Sequence, residues 1–249
     1  MPPAIRALSF DLFDTLVDLT LEALPPVKID GELVSPTAPA LYALLGEGRG
    51  IPFEVFARTL RGVDRDIRRN QYEAGREVST RARFTALARA LGIEDAALVE
   101  RWRAEHMARL AAQVRTVDGH AELLGSLRTR VRLGLCSNFT DTETALGVLD
   151  HAALRGALDA VAISEAVGWR KPRREIFSAV ARDLDTDPRE VLHVGDNLDA
   201  DVAGAAAAGM RTAWLTRRVA DPSAAFLRYR GPRPEFTIAS LAELERLLG

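Results

Sequence analysis

One cysteine, Cys136, and two lysines, Lys28 and Lys171, are all that the 249 residues contain of either type. The lone cysteine excludes an internal disulfide framework and any CxxC zinc site, and it agrees with a reducing compartment. The other 31 of the 33 basic residues are arginine. Against that background a lysine marks a place that wants a compact ammonium in preference to a planar guanidinium fork. Long apolar runs are also missing, since none approaches the roughly 18 residues needed to span a bilayer. The opening Met1-Pro2-Pro3-Ala4-Ile5-Arg6 has no basic segment leading into a long apolar one, so the expectation is a cytoplasmic protein without a secretory leader. Net positive charge is absent as well: the balance is -2 and the pI is near 6.1. Nothing in that balance draws the chain to nucleic acid or to an anionic membrane, and a small molecule is the expected partner.

What is present is ordinary globular material, 47% hydrophobic and 27% charged, enough for one large domain or two smaller ones. An apolar stretch from Ile5 to Phe10 predicts a strand that ends at Asp11. Asp30-Gly31, between Val27-Lys28-Ile29 and Glu32-Leu33-Val34, predicts a small hairpin. From Pro36 to Val114 the spacing turns helical, as in Phe53, Phe56, Ala57, Leu60, Val63 and Ile67. Ser79 or Thr80 can cap a helix that Gly92 closes, and a further helix is predicted over 94–114. After Val117, predicted strands over 131–136, 157–164, 191–195 and 212–216 alternate with helices over 119–130, 141–149, 173–184 and 199–208. Alternation of this kind implies a parallel sheet with helices on its faces. The expected domains are an α/β core from 1–18 and 115–249 and an inserted helical domain over 19–114.

Four chemically equipped stations follow strands: Asp11, Ser137-Asn138, Lys171-Pro172 and Gly195-Asp196-Asn197. In open parallel sheets ligands gather at the carboxyl ends of strands, so the four can converge on one pocket. Asp11 and Asp196 can share an oxygen-loving cation such as Mg²⁺, Lys171 offsets negative charge, and Ser137 with Asn138 can bind phosphoryl or carboxylate oxygens. Asp11 can then serve as a covalent nucleophile. Asp201, five residues after Asp196, can ligate the cation or orient its ligands. Cys136 reads as a small apolar strand residue. His106, His120, His151 and His193 show no ligand spacing; His193 is expected to pack or hydrogen-bond within its strand, and the Arg217-Arg218 pair to be solvated surface.

Phe10-Asp11-Leu12-Phe13-Asp14-Thr15-Leu16, Cys136-Ser137-Asn138, Gly168-Trp169-Arg170-Lys171-Pro172 and Val194-Gly195-Asp196-Asn197 with Asp201 follow one another in the order of the haloacid dehalogenase superfamily motifs. Across almost its whole length the chain resembles that superfamily. The resemblance implies a Rossmann-like three-layer parallel-sheet core with an inserted all-helical C1 cap lying over the active site. It implies a hydrolase in which Asp11 is the nucleophile, Ser137 the substrate-oxygen donor and Lys171 the charge-stabilising residue. Thr15, Ser137, Asn138 and Lys171 would contact an anionic small-molecule substrate. Mg²⁺ would be held by Asp11, Asp196 and the backbone oxygen of Phe13, with Asp201 nearby.

The first motif departs from the phosphatase pattern at Phe13, where phosphatases of the superfamily usually carry an aspartate that protonates the leaving alkoxide and then activates water. Its dehalogenases carry an aromatic there, yet they typically have serine where this chain has Asp196. Magnesium-dependent hydrolysis of a small phosphate ester or acyl phosphate is the reading that accommodates Asp196. A metal-independent 2-haloacid dehalogenase and a catalytically weak ligand-binding relative are the alternatives that Phe13 keeps open.

Overall fold

Six strands make one sheet: β1 Ala7–Phe10, β2 Arg132–Ser137, β3 Ala160–Ile163, β4 Val191–Gly195, β5 Arg211–Leu215 and β6 Phe236–Ile238, in the spatial order β6-β5-β4-β1-β2-β3. The structure, a computed structural model, describes residues 4–46 and 49–248; the reading of Met1-Pro2-Pro3 falls outside them. All pairings in the sheet are parallel. β1 runs between β4 and β2, with Phe10 opposite both Val194 and Leu135. The chain therefore leaves β1 near the middle of the sheet's carboxyl edge, between β2, which runs two residues further, and β4, which runs one further.

Consecutive residues of β1 and β4 are buried, as expected where both faces of a parallel sheet are covered. On one face the helix α1, Arg174–Asp183, sets Ile176, Phe177 and Val180 against Ala7, Cys136, Ala160, Ala162 and Val191. Glycine permits that close approach, because a Cβ on Gly134 would stand 2.9 Å from Val180 Cγ2.

The elements of the sheet unit depart from expectation chiefly as follows, and in the other unit the helix expected over 94–114 is Ala96–Ala111, with Val114 in a two-residue strand. β3 begins at Ala160 because Arg155–Ala157 forms a 3-10 turn. The helix expected over 199–208 is a wide π turn, Leu198–Ala203, followed by a short α-helix, Gly204–Ala207. Its width comes from Asn197, whose carbonyl accepts from Asp201 N at 2.8 Å and Val202 N at 3.3 Å. Finally β6 and the helix Pro222–Arg228 had no counterpart in the sequence reading. Phe236-Thr237-Ile238 is too short to show a period, and it lies in a segment dense in arginine and proline.

Two compact units account for the fold, Met1–Leu19 with Arg115–Gly249 and, separately, Thr20–Val114. The second is helical, with a hairpin of Val27–Ile29 and Glu32–Val34 at its start, where Asp30 (φ 53) and Gly31 (φ 79) take the left-handed backbone that a tight two-residue turn requires. Its helices Ala38–Ala43, Phe53–Asn70, Thr80–Ala90 and Ala96–Ala111 enclose Leu41, Phe56, Leu60, Phe84, Leu87, Leu98 and Trp102. Buried Trp102 satisfies its indole N–H on Leu41 O at 2.8 Å. Ser79 caps one helix through Ala82 N, and Asp95 caps the next through Leu98 N, which starts that helix at Ala96. Among the described residues no helix is long and apolar enough to cross a membrane.

Candidate active site

Asp11 takes up the ladder where β1 ends, its amide donating to Val194 O at 2.9 Å. Its carboxylate is held from the side by Lys171, whose Nζ lies 2.5 Å from Asp11 Oδ1 and 2.7 Å from Asp201 Oδ1. Lys171 is 5% exposed, so the ammonium is spent inside the protein on two carboxylates. Burial alone would lower its pKa, but Asp11 and Asp201 outweigh that and lift it well above the usual lysine value. It remains an ammonium throughout the working pH range.

Asp201 is engaged on both oxygens. Oδ1 meets Lys171 and His193 Nε2 at 3.1 Å, and Oδ2 accepts from Asn197 N at 3.0 Å. Burial pushes its carboxyl up, but Lys171 and His193 overcome it and hold the group below the ordinary carboxylate range. The wide turn at Leu198–Ala203 and the bare Cα of Gly195 let that carboxylate fold back beneath the end of β4, since a Cβ on Gly195 would collide with it. Its arrangement suits anchoring Lys171 better than direct ligation.

His193 and Ser9 complete this lattice, and the sequence reading gave neither a role in it. They are register partners on β4 and β1, with His193 Nδ1 3.1 Å from Ser9 Oγ. The ring stands edge-on to Phe177, centroids 5.1 Å apart. A signal was available, since each is the polar residue in an otherwise apolar strand.

Asn138 also departs from expectation. Its Oδ1 accepts from Lys171 N at 2.7 Å and its Nδ2 donates to Lys171 O at 3.0 Å. The amide grips the backbone of the lysine, which makes Asn138 a positioning residue more than a substrate contact. Asn138→Ala is therefore expected to leave Lys171 N–H without its partner, costing about 1–3 kcal/mol of stability. A thermal melt with the wild-type midpoint would overturn this assignment. Ser137, next to it, is fully buried, and neither its hydroxyl nor that of buried Thr15 has a hydrogen-bond partner among the described residues. A buried hydroxyl left unpaired is costly, so both are suited to a ligand oxygen.

Phe13 packs on Phe139 with ring centroids 5.1 Å apart and planes at 48°. Asp14, in the left-handed region at φ 57, points its carboxylate to Leu19 N and Arg218 Nε, each at 3.3 Å. Arg217 is not solvated surface: it pairs with Asp18, whose carboxyl this guanidinium holds below the usual range. Cys136 is buried, and burial pushes its thiol up to about 12, which leaves it an inert strand residue.

Asp196 stands apart from these pairs in forming no ion pair among the described residues, although Lys171 still pulls on its charge. Burial pushes its pKa up to about 7, reinforced by the charges of Asp11, Asp201 and Asp14. One carboxylate oxygen each from Asp11, Asp196 and Asp201 lies within 4.8 Å of the others. Three carboxylates against one lysine leave an excess of negative charge, and an all-oxygen donor set matches a hard divalent cation. Burial also raises Asp11 from its ordinary value despite the pull of Lys171, as expected of a carboxylate whose environment is under-compensated.

A haloacid dehalogenase-like hydrolase family model matches residues 5–209, a span holding every residue of this lattice. The chain belongs to the haloacid dehalogenase-like hydrolases. Pyrimidine 5'-nucleotidase YjjG of Escherichia coli is 31% identical over 168 residues, covering 67% of this haloacid dehalogenase-like hydrolase and 69% of that protein. Ribulose-1,5-bisphosphate 5-phosphatase of Halopiger xanaduensis is 29% identical over 210 residues, 81% of this chain and 82% of the other. Among solved structures, a 2-haloacid dehalogenase from Pseudomonas syringae superposes with a TM-score of 0.64 at 25% identity over 98% of both chains. The HAD phosphatase of Thermococcus onnurineus gives 0.65 at 23% identity over the same shares and speaks for the fold alone.

Proposed function

We propose that this hydrolase is a magnesium-dependent phosphoryl hydrolase acting on a small anionic phosphate through a covalent ester on Asp11. The observation that carries the reading is Asp196, a partly buried carboxylate beside the nucleophile that forms no ion pair among the described residues and whose pKa is pushed up to about 7 because burial and the neighbouring carboxylates outweigh the pull of Lys171. A halogenated carboxylate approaching Asp11 would meet that uncompensated charge, whereas a phosphate would arrive with its own cation. Solved relatives include both a phosphatase and a 2-haloacid dehalogenase by name, so similarity of fold does not choose between them. The curated relatives named as a nucleotidase and a phosphatase favour phosphoryl chemistry.

In this reading Asp11, Asp196 and the Phe13 backbone oxygen hold Mg²⁺, which supplies neutralisation of the phosphoryl oxygens when bound. Lys171 stabilises negative charge on the phosphoryl group while Asn138 and Asp201 fix its position. Ser137 and Thr15 donate their unpaired hydroxyls to phosphoryl oxygens. Asp11 attacks phosphorus, the leaving oxygen departs, and water then cleaves the aspartyl phosphate to restore the carboxylate.

The test is a panel of small phosphates assayed for phosphate, beside 2-chloropropionate assayed for chloride, each with Mg²⁺ and with chelator. Phosphate release that chelator abolishes is expected. Chloride release indifferent to chelator would replace the reading with the dehalogenase one, which Phe13 favours.

A further inference from the structure

When Asp11 attacks phosphorus, the bond from phosphorus to the leaving oxygen breaks and its electron pair stays on that oxygen. An alkoxide formed in this way needs a proton at the moment of departure, and a carboxylate does not. Among the described residues, the protonable side chains paired with Asp11 or with its partners in the same unit are engaged. Lys171 donates to Asp11 and Asp201 and is buried. His193 has both ring nitrogens engaged, by Ser9 and Asp201, and is 1% exposed. Asp201 accepts on both oxygens. Asp14 turns to Arg218 and Leu19 N. Asp196 is the cation ligand of the reading above. Phe13, two residues beyond the nucleophile, presents a ring packed on the Phe139 ring.

We propose that the site acts on phosphoryl donors whose leaving group departs unprotonated, acyl phosphates above all, because the residue two beyond Asp11 is Phe13, its ring paired with Phe139, and the described acids and bases next to Asp11 in its unit are engaged elsewhere. The proposal rests on the phosphoryl hydrolase reading and narrows its substrate class. The balance is simple: acyl phosphate and water give carboxylate, phosphate and one proton. The P–O bond to the acyl group breaks with its electrons on the carboxylate, an Asp11–phosphorus ester forms, and water then displaces Asp11, losing its proton to solvent or to phosphate. No oxidant or further reactant is needed.

The experiment measures kcat/KM in Mg²⁺ for acetyl phosphate, 4-nitrophenyl phosphate, phenyl phosphate and ethyl phosphate, with wild type and Phe13→Asp. The wild type is expected to fall by about 10²–10⁴ across the series beyond the fall shown by Phe13→Asp, the range general acid catalysis typically spans. Phe13→Asp is expected to gain mainly on ethyl and phenyl phosphate, flattening the dependence. Ethyl phosphate turned over by the wild type within about tenfold of acetyl phosphate overturns the proposal and leaves the hydrolase reading standing. A folded Phe13→Asp with an unchanged dependence overturns it too, since the missing acid would not be the cause. No phosphate from any member overturns both. Should Phe13→Asp fail to fold, Phe13→Glu supplies the same acid and takes its place in the comparison.

Discussion

Asp11→Asn is expected to lower turnover by at least ~10⁴-fold, the scale on which removal of a catalytic nucleophile acts, while the protein stays folded. The substitution keeps the shape of the side chain and deletes its capacity to form the ester. Lys171 does not become an orphan, because Asp201 still accepts from it at 2.7 Å and Asn138 still holds its backbone. The nucleophile's charge is itself unfavourable where it sits, since burial raises its pKa even with the ammonium alongside. The variant loses a buried carboxylate but also one of the two carboxylates that stabilise the buried Lys171 ammonium, so a melting temperature near the wild type's is expected in the absence of metal. The measurements are kcat on the best phosphate of the panel and a thermal melt. Retention of more than about a hundredth of wild-type turnover in the folded variant would remove Asp11 from the nucleophile's role. A variant that unfolds would show that Lys171 depends on Asp11 more than on Asp201.

The stations of this site were legible because each follows a strand, and a strand that ends in a charged or polar residue stands out against its apolar run. Asp11 after Phe10, Ser137 closing β2 and Asp196 after Gly195 were found in this way. How those residues partner one another was not legible. Asn138 reads in sequence as one more polar residue facing a ligand, and only the approach of Lys171 from 33 positions away turns its amide inward. His193 has the same character: its partners, Ser9 and Asp201, lie 184 and 8 residues distant, and no local spacing announces them. Arg217 looks like half of a surface pair until Asp18 is brought beside it by the sheet. The hairpin at Asp30-Gly31 lies at the opposite extreme, since its turn is dictated by two adjacent residues that tolerate positive φ. Local chemistry was readable, and contacts made across strands needed the fold.

Asp196→Asn is expected to stabilise the metal-free protein at pH 8 by ~2–4 kcal/mol, from a shift of about three pKa units at 1.36 kcal/mol each, reduced for partial exposure. The sign follows from proton linkage. Asp196 titrates at 3.8 in the unfolded chain and at about 7 in the metal-free fold. Between those values the folded state binds the extra proton, so the wild type loses stability as pH rises from about 4 through about 7. Below pH 4 both states are protonated and the two proteins should melt alike. Asparagine carries no charge to bury, so the variant escapes the loss. A divalent cation removes the same penalty in the wild type by neutralising the carboxylate, and it has less to neutralise in the variant. Melts at pH 8 with chelator should place Asp196→Asn above wild type, and added Mg²⁺ should raise the wild type while moving the variant much less. At pH 5 the Mg²⁺ effect on the wild type should shrink, because binding there must first expel the proton. A wild type whose melting temperature is indifferent to Mg²⁺ at pH 8, or a variant less stable than wild type without metal, would mean that Asp196 is compensated by the protein itself. In that case the argument for a cation, and with it the preference for phosphoryl over halide chemistry, would fall.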